Sequence, residues 1–132
     1  MLLLGIDVGT SGCKASILDP AGSVISSAYI EYDDPVRLDP SVAQIDPELI
    51  WDSVKSSVRE AVQKSGSREI AAVGVTSFGE AVVFIDREGR TLTDSIFYYD
   101  LRGHEQTEWI KTNMDIGKFV DTTGVSPSST YS

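Results

Sequence analysis

The opening of the chain contains two strand-like runs separated by a short turn that glycines enclose. Residues 2–8 form an apolar run of the kind found in buried strands. Gly9 and Gly12 then flank two hydroxyl residues, and an alternating strand pattern resumes over residues 13–19. Two strands joined through so short a turn pair in antiparallel register, so this segment predicts a β-hairpin.

The pattern that follows predicts a longer sheet and a helix. Residues 23–32 extend the hairpin into a three-stranded antiparallel meander, and a loop follows over 33–45. A helix begins at Asp46–Pro47–Glu48, where an acidic cap precedes proline, and ends at Gly66. Its predicted inward face consists of Trp51, Val54, Val58, Ala61 and Val62.

Three more strands and two more helices are predicted after Gly66. The strands are predicted at residues 70–78, 81–86 and 95–99. Asp100 is a candidate cap for a helix that runs to about Asn113, and a short helix covers 116–121. A meander followed by a helix and a further strand is typical of an α/β fold, in which a mixed sheet carries helices on its faces.

The composition restricts the class of partner. The 20 acidic residues outnumber the 11 basic ones, and this net charge of −9 argues against a nucleic-acid partner. No stretch is apolar for long enough to span a bilayer, and the apolar start lacks the features of a signal peptide, which predicts a cytoplasmic protein without a membrane partner. Cys13 has no second cysteine for a disulfide or zinc site, so we expect a small buried residue there.

The hairpin also carries groups suited to binding phosphate. Backbone N–H groups in a glycine-containing turn form an anion-binding concavity, to which Thr10 and Ser11 add hydroxyl donors. Asp7 ends the first strand, where a carboxylate can hold Mg²⁺ directly or through water, and Lys14 can offset charge on a terminal phosphate. The spacing alone is equally compatible with a hairpin whose polar turn binds nothing.

Five segments carry a resemblance to a known family. Residues 5–14 resemble the first phosphate motif of the sugar kinase, Hsp70 and actin superfamily. The later segments resemble FGGY-type carbohydrate kinases in order and spacing, and they are residues 44–51, 72–89, 95–102 and 123–131. The resemblance covers residues 1–132. It implies an incomplete ribonuclease H-like first domain, ATP and Mg²⁺ as cofactors, and phosphorylation of a sugar or polyol hydroxyl.

The resemblance also implies roles for individual residues. The phosphate hairpin spans 5–14, with Asp7 serving the metal and the phosphates contacted by Gly9, Thr10, Ser11 and Lys14. The substrate-side segments are 76–81 and 96–102, with the substrate contacted by Phe78, Gly79, Glu80, Tyr98 and Asp100. Glycerol kinases have Arg-Glu and xylulokinases Met-His where this chain has Gly-Glu, and the family's usual Trp is Tyr98 here. Because of these departures, the resemblance does not predict which sugar or polyol is the substrate.

Other roles remain open for several of these residues. Phe78 also suits a core position, and Asp100 suits a helix cap. Arg102, His104 and Glu105 are expected on a solvated helix face without a chemical role.

The resemblance also implies that parts of a kinase lie outside these residues. The general base, the adenine site and the second phosphate motif are expected in later segments, so we expect no catalysis by these 132 residues alone. An open sheet edge would favour a homodimer. Two other interpretations are a regulatory module that binds nucleotide or sugar without kinase chemistry, and a structural domain whose hairpin binds nothing.

Overall fold

The computed structural model describes residues 1–33 and 41–129. Most of the predicted loop over 33–45, and the end of the segment 123–131, lie outside these residues. The elements in chain order are β1 (Leu2–Val8), β2 (Gly12–Leu18), β3 (Val24–Glu31), β4 (Gln44–Ile45), α1 (Pro47–Ser65), β5 (Ile70–Ser77), β6 (Ala81–Val82), β7 (Ser95–Phe97), α2 (His104–Asn113) and α3 (Ile116–Thr123). They form two compact units, each with its own sheet.

The first unit contains residues 1–33 and 46–78 and is built on a mixed sheet. Its strand order is β3-β2-β1-β5. β1, β2 and β3 pair as an antiparallel meander, and β5 pairs in parallel with β1 after the crossover through α1. The predicted meander and the predicted mixed sheet are both confirmed.

The core of this unit lies between the meander and α1. Cys13, Ala15 and Ile17 alternate along β2 and are fully buried, as the strand pattern predicts. Ala61 of α1 packs among these residues. Cys13 is therefore the small buried residue that the sequence predicts.

The face of α1 that reaches the sheet agrees with the predicted one at Ala61, Val58 and Val62, which pack in or against the core, and differs at Trp51. Its buried residues are Ser53, Ser57 and Ala61, whose small side chains allow close approach, whereas Trp51 is 56% exposed. The reason is that α1 packs mainly over β2 and β3, so the side of the helix that carries Trp51 overhangs β1 and β5. The predicted inward position of Trp51 is wrong.

The ends of α1 follow their sequence signals. The Asp46 carboxylate accepts a hydrogen bond from the Glu48 N–H at 2.9 Å, and Pro47 occupies the first turn. Gly66 ends the helix in the left-handed conformation, with φ of 70°. Within the described part of the chain, no helix is both long and apolar enough to cross a membrane.

The second unit contains residues 41–45 and 79–129 and has a small antiparallel sheet in the order β4-β7-β6. β6 is shorter than the predicted strand over 81–86 because its pairing with β7 ends at Val82, and Ile85 instead forms an isolated antiparallel bridge with Thr91. β7 likewise ends at Phe97, where a turn begins.

The helices of the second unit confirm one predicted start and correct another. α2 begins at His104 rather than directly after Asp100, because the Asp100 carboxylate is bound by other partners. α3 covers the predicted short helix, with the Asp115 carboxylate capping the Lys118 N–H and Gly124 in the left-handed conformation.

Candidate functional site

The hairpin turn presents hydrogen-bond donors at its tip. The Gly9 N–H donates to the Gly12 carbonyl at 2.9 Å and closes the turn, so Thr10 and Ser11 project from it and are exposed. Within the described residues, neither their N–H groups nor their hydroxyls donate a hydrogen bond to the protein. The turn therefore carries backbone and hydroxyl donors that no described residue uses.

Gly12 is required by the strand beside the turn. A Cβ on residue 12 would lie 2.5 Å from the Ile30 carbonyl oxygen and 2.5 Å from the Tyr29 hydroxyl. The hydroxyl end of the Tyr29 ring therefore lies against Gly12, the residue that follows the turn. Sequence reasoning missed Tyr29, although its alternation with Ala28 already predicts that it faces away from the core.

Asp7 has two close neighbours across the sheet. It is the register partner of Lys14 on β2 and of Thr76 on β5, so the three side chains lie side by side on the face opposite α1. Neither Asp7 nor Lys14 forms an ion pair with a described residue, which leaves both charges available to a ligand. Thr76 was predicted only as part of a substrate-side segment, because the register of a parallel pair is not visible in local sequence.

A shallow cavity of about 430 Å³ lies over these residues. Asp7, Lys14 and Thr76 line its polar part, while Gly5 and Gly74, which are register partners, leave its floor without side chains. Phe78 lies next to the turn end of the hairpin, where its N–H donates to the Val8 carbonyl at 2.9 Å. The first unit thus brings together the residues predicted to serve the phosphates and the metal. Phe78 is hydrogen-bonded to Val8, the residue that follows Asp7.

Gly79, Glu80, Tyr98 and Asp100 belong to the second unit. Glu80 has φ of 57° and is the one non-glycine residue in the left-handed region among those described. That conformation costs about 1 to 2 kcal/mol for a residue with a Cβ. The Glu80 side chain is exposed and, in the described part of the chain, forms no hydrogen bond or ion pair.

Tyr98 occupies a tight turn lined with aromatic rings. The Asp100 N–H donates to the Phe97 carbonyl at 3.0 Å, so Tyr98 and Tyr99 are the central residues of this turn. The Tyr98 ring meets the Tyr99 ring edge to face at 5.1 Å, and the Tyr99 ring stacks on Phe97 at 5.3 Å. Tyr98 is 42% exposed, which leaves part of its ring available to a ligand.

Asp100 is buried and bound on both oxygens. Its Oδ2 accepts from the Ala43 N–H at 2.8 Å and from Arg102 Nη2 at 2.7 Å, and its Oδ1 accepts from Arg102 Nε at 2.9 Å. The hydrogen bonds from Arg102 hold the pKa of the Asp100 carboxyl at about 2, well below its usual range, in spite of the opposing effect of burial. Asp100 is therefore ionised at neutral pH.

Arg102 lies before α2 rather than on it, and its guanidinium binds Asp100, so the predicted solvated helix position is wrong for this residue. His104 and Glu105 lie exposed in the first turn of α2, as predicted.

Comparison with known proteins identifies the family. The profile of the FGGY family of carbohydrate kinases, N-terminal domain, matches residues 2–132. Glycerol kinase from Saccharolobus islandicus is 28% identical over 131 residues, which cover 98% of this chain and 26% of that protein. The chain spans about a quarter of the length of the curated relatives it matches.

Solved structures share the fold. The crystal structure of Plasmodium falciparum glycerol kinase with ADP has a TM-score of 0.91 at 21% identity, over 99% of this chain and 27% of that one. Xylulose kinase from Rhodospirillum rubrum has a TM-score of 0.90 at 23% identity, over 98% of this chain and 27% of that one. These likenesses confirm the predicted ribonuclease H-like fold. The chain belongs to the FGGY family of carbohydrate kinases.

Proposed function

We propose that the full-length protein containing this domain transfers the γ-phosphoryl group of ATP to a hydroxyl of a sugar or polyol. The observation that carries this proposal is the register that sets Asp7 between Lys14 and Thr76, beside a turn with unused donors. One carboxylate, one ammonium and several neutral donors around an open cavity suit a metal-bound polyphosphate. Family membership supports the same reaction class.

The residues around Asp7 fit Mg²⁺ rather than a metal held wholly by protein. The described residues contain no group of three or more His, Cys, Asp or Glu side chains that could hold a metal ion. Mg²⁺ is bound in kinases by one or two carboxylates together with phosphate oxygens and water, so Asp7 would suffice as the ligand from this domain. When bound there, the ion would neutralise charge on the phosphates.

The turn and Lys14 would hold the transferred phosphate. The N–H groups of Thr10 and Ser11, with their hydroxyls, would donate to phosphate oxygens, and Gly9 would let the backbone approach closely. Lys14 would neutralise the charge that spreads over the equatorial oxygens as the phosphoryl group moves. The hydrogen bond between Gly9 and Gly12 holds the backbone N–H groups of the turn in place before the ligand arrives.

The acceptor would be bound by Phe78, Gly79, Glu80 and Tyr98, with Asp100 closing the turn that carries Tyr98. Glu80 supports this assignment because an exposed carboxylate held at positive φ has no structural role in the described unit. Its oxygens would accept hydrogen bonds from sugar hydroxyls, while the exposed part of the Tyr98 ring would cover an apolar sugar face. The relatives named above act on glycerol and xylulose, and both are acceptors of the proposed class.

This chain alone would not catalyse the transfer. No residue described here is placed as a general base for the acceptor hydroxyl, and the relatives are about four times as long as this chain. The base and the adenine site would come from the remainder of the full-length protein, which would be cytoplasmic and act on small molecules rather than nucleic acid or membrane.

The test is an ADP-release assay on the full-length protein with a panel of polyols, pentuloses, pentoses, hexoses and sugar acids. We expect turnover that depends on one acceptor class, on ATP and on Mg²⁺, and none from the 132-residue chain. Turnover by that chain would show that the general base and the adenine site do not come from the remainder of the full-length protein. No acceptor-dependent turnover across the panel would favour a regulatory module that binds nucleotide or sugar without kinase chemistry.

A further inference from the structure

The Asp100 carboxylate has little capacity left for a sugar hydroxyl. It accepts two hydrogen bonds on Oδ1, from the Arg102 N–H at 3.0 Å and Nε at 2.9 Å. It accepts three on Oδ2, from the Ala43 N–H at 2.8 Å, from Arg102 Nη2 at 2.7 Å and from Arg102 Nε at 3.0 Å, the last N–H being shared with Oδ1. A carboxylate offers about four lone-pair positions, and only 6% of the Asp100 surface is exposed. The hydrogen bonds from Ala43 and Arg102 therefore occupy the acceptor positions that a sugar hydroxyl would need.

These contacts join the end of β7 to a segment 57 residues earlier in the chain. β4 pairs with β7, and the Phe97 N–H donates to the Ala43 carbonyl at 2.9 Å. Beyond the strand, the Leu101 N–H donates to the Ser41 carbonyl at 2.9 Å. Asp100 binds between these two backbone contacts, so it fastens the turn at 97–100 to residues 41–45.

The turn that Asp100 fastens carries Tyr98. The ring of Tyr98 rests edge-on against Tyr99, which stacks on the buried Phe97. The direction of the exposed part of Tyr98 therefore depends on the geometry of this turn. Arg102 holds the Asp100 carboxylate with a planar fork of donors, which fixes its orientation more strictly than a lysine would.

We propose that Asp100 and Arg102 form a positioning clamp that orients Tyr98 toward the acceptor, and that Asp100 is not itself a substrate ligand. This inference deepens the proposed function and rests on it for the kinetic part of its test. It gives Arg102 a role in acceptor binding equal to that of Asp100. The resemblance to the family implies that Asp100 contacts the substrate. In this proposal Asp100 instead acts on the substrate only through the position of Tyr98.

The kinetic test compares Asp100→Asn, Arg102→Gln and the double variant in the full-length protein, with glycerol, xylulose and gluconate as acceptors. We expect each single variant to raise KM for the acceptor by roughly tenfold to a hundredfold, because misplaced positioning groups cost about that much. The double variant should be no worse than either single variant, since all three break one clamp. KM for ATP should change by less than about twofold, and Arg102→Lys should recover part of the loss.

Glu105→Gln is the matched control, because Glu105 is an exposed carboxylate in the first turn of α2. It should leave both KM values unchanged. A large effect of Asp100→Asn with none from Arg102→Gln would show that Asp100 contacts the acceptor directly and would overturn the clamp. Equal and additive effects of the two single variants, or no effect from either, would overturn it as well.

A second measurement does not depend on the reaction. Hydrogen–deuterium exchange of peptides covering residues 41–45 should quicken in both single variants. Asp100→Asn weakens the acceptor of the Ala43 N–H, and Arg102→Gln removes the group that orients that acceptor. Unchanged exchange would refute the clamp even if the protein proves to be a kinase. Quickened exchange in a protein that phosphorylates nothing would leave the clamp in place as a structural fact and reject the proposed function instead.

Discussion

Gly12 is the residue on which the hairpin depends most directly. Any side chain there would meet the Ile30 carbonyl, which belongs to backbone that β3 holds in place. We expect Gly12→Ala to destabilise the first unit by about 1 to 3 kcal/mol, the usual cost of forcing a methyl group into packed structure. Denaturant unfolding in a Trp109→Phe background, which leaves Trp51 as the reporter in the first unit, measures this change.

Gly74 provides the matched control. It lies on β5 of the same sheet, with β1 between it and the strand of Gly12, and a Cβ built there meets nothing within 4 Å. Gly74→Ala should therefore change the free energy of unfolding by less than about 0.5 kcal/mol. Equal losses from the two substitutions would contradict the close packing of the turn against β3.

Asp100 makes the second unit sensitive to acid. Its pKa is lowered to about 2 from 3.8, so its contribution to stability is complete above about pH 4 and is lost as pH falls toward 2. That contribution is about 1 to 2 kcal/mol once screening at the half-exposed Arg102 is allowed for. The gap in unfolding free energy between the wild type and Asp100→Asn should narrow as pH falls from 5 to 2.

The measurement uses denaturant unfolding in a Trp51→Phe background, so that Trp109 in the second unit is the only tryptophan. A gap that stays constant over this pH range would mean that Asp100 is not held ionised by Arg102.

At the scale of elements, local signals predicted the hairpin and α1 well. The alternation of Cys13, Ala15 and Ile17 and the capping at Asp46 act within a few residues of one another. Contacts between distant segments could not be predicted. The start of α2 was placed too early because Ala43 competes for the Asp100 carboxylate, and Thr76 was not paired with Asp7 because parallel register depends on the crossover.

In the candidate site, too, features set by local sequence were predicted and contacts between distant segments were not. Asp7 and Lys14 were both predicted for the phosphate site because one hairpin carries them, and the structure adds that they are register partners. Tyr29 was missed because its ring reaches the turn from a third strand. The position of Glu80 was predicted from family resemblance, but its positive φ has no local signal such as a glycine.

The position of α1 on the sheet changes the stability loss that is expected for substitution of Trp51. Helical periodicity alone would place Trp51 in the core and predict a larger loss. Trp51→Ala should cost about 1 to 2 kcal/mol, well below the roughly 3 to 5 kcal/mol of a fully buried tryptophan, because more than half of its surface is exposed. Ala61→Leu should cost about 1 to 3 kcal/mol, because Ala61 is fully buried among close-packed neighbours. Urea unfolding followed by circular dichroism checks both, and a larger loss from Trp51→Ala would place the helix differently.

At the scale of the whole molecule, β5 gives the 132-residue chain a reason to self-associate. Among the described strands it pairs only with β1, and Val73 and Val75 are 58% and 67% exposed. Exposed apolar strands at a sheet edge favour pairing with a second copy. We expect light scattering after size-exclusion chromatography to show a dimer or larger species at high protein concentration.

Val75→Lys should restore the monomer, because it places a charge on this strand. Leu92→Lys is the control, since Leu92 is 64% exposed but lies in the second unit away from any named strand. A wild-type chain that elutes as a monomer at every concentration would refute self-association through β5.

The central claim is that the hairpin serves the nucleotide and the second unit serves the acceptor. Steady-state kinetics of Lys14→Met and Glu80→Gln in the full-length protein test it most directly. We predict that Lys14→Met lowers kcat by about a hundredfold with little change in KM for the acceptor, because it removes charge stabilisation of the moving phosphate. Glu80→Gln should instead raise KM for the acceptor and leave KM for ATP unchanged. Equal effects of both substitutions on both substrates, or no effect of Lys14→Met on kcat, would contradict the assignment of the hairpin to the phosphates.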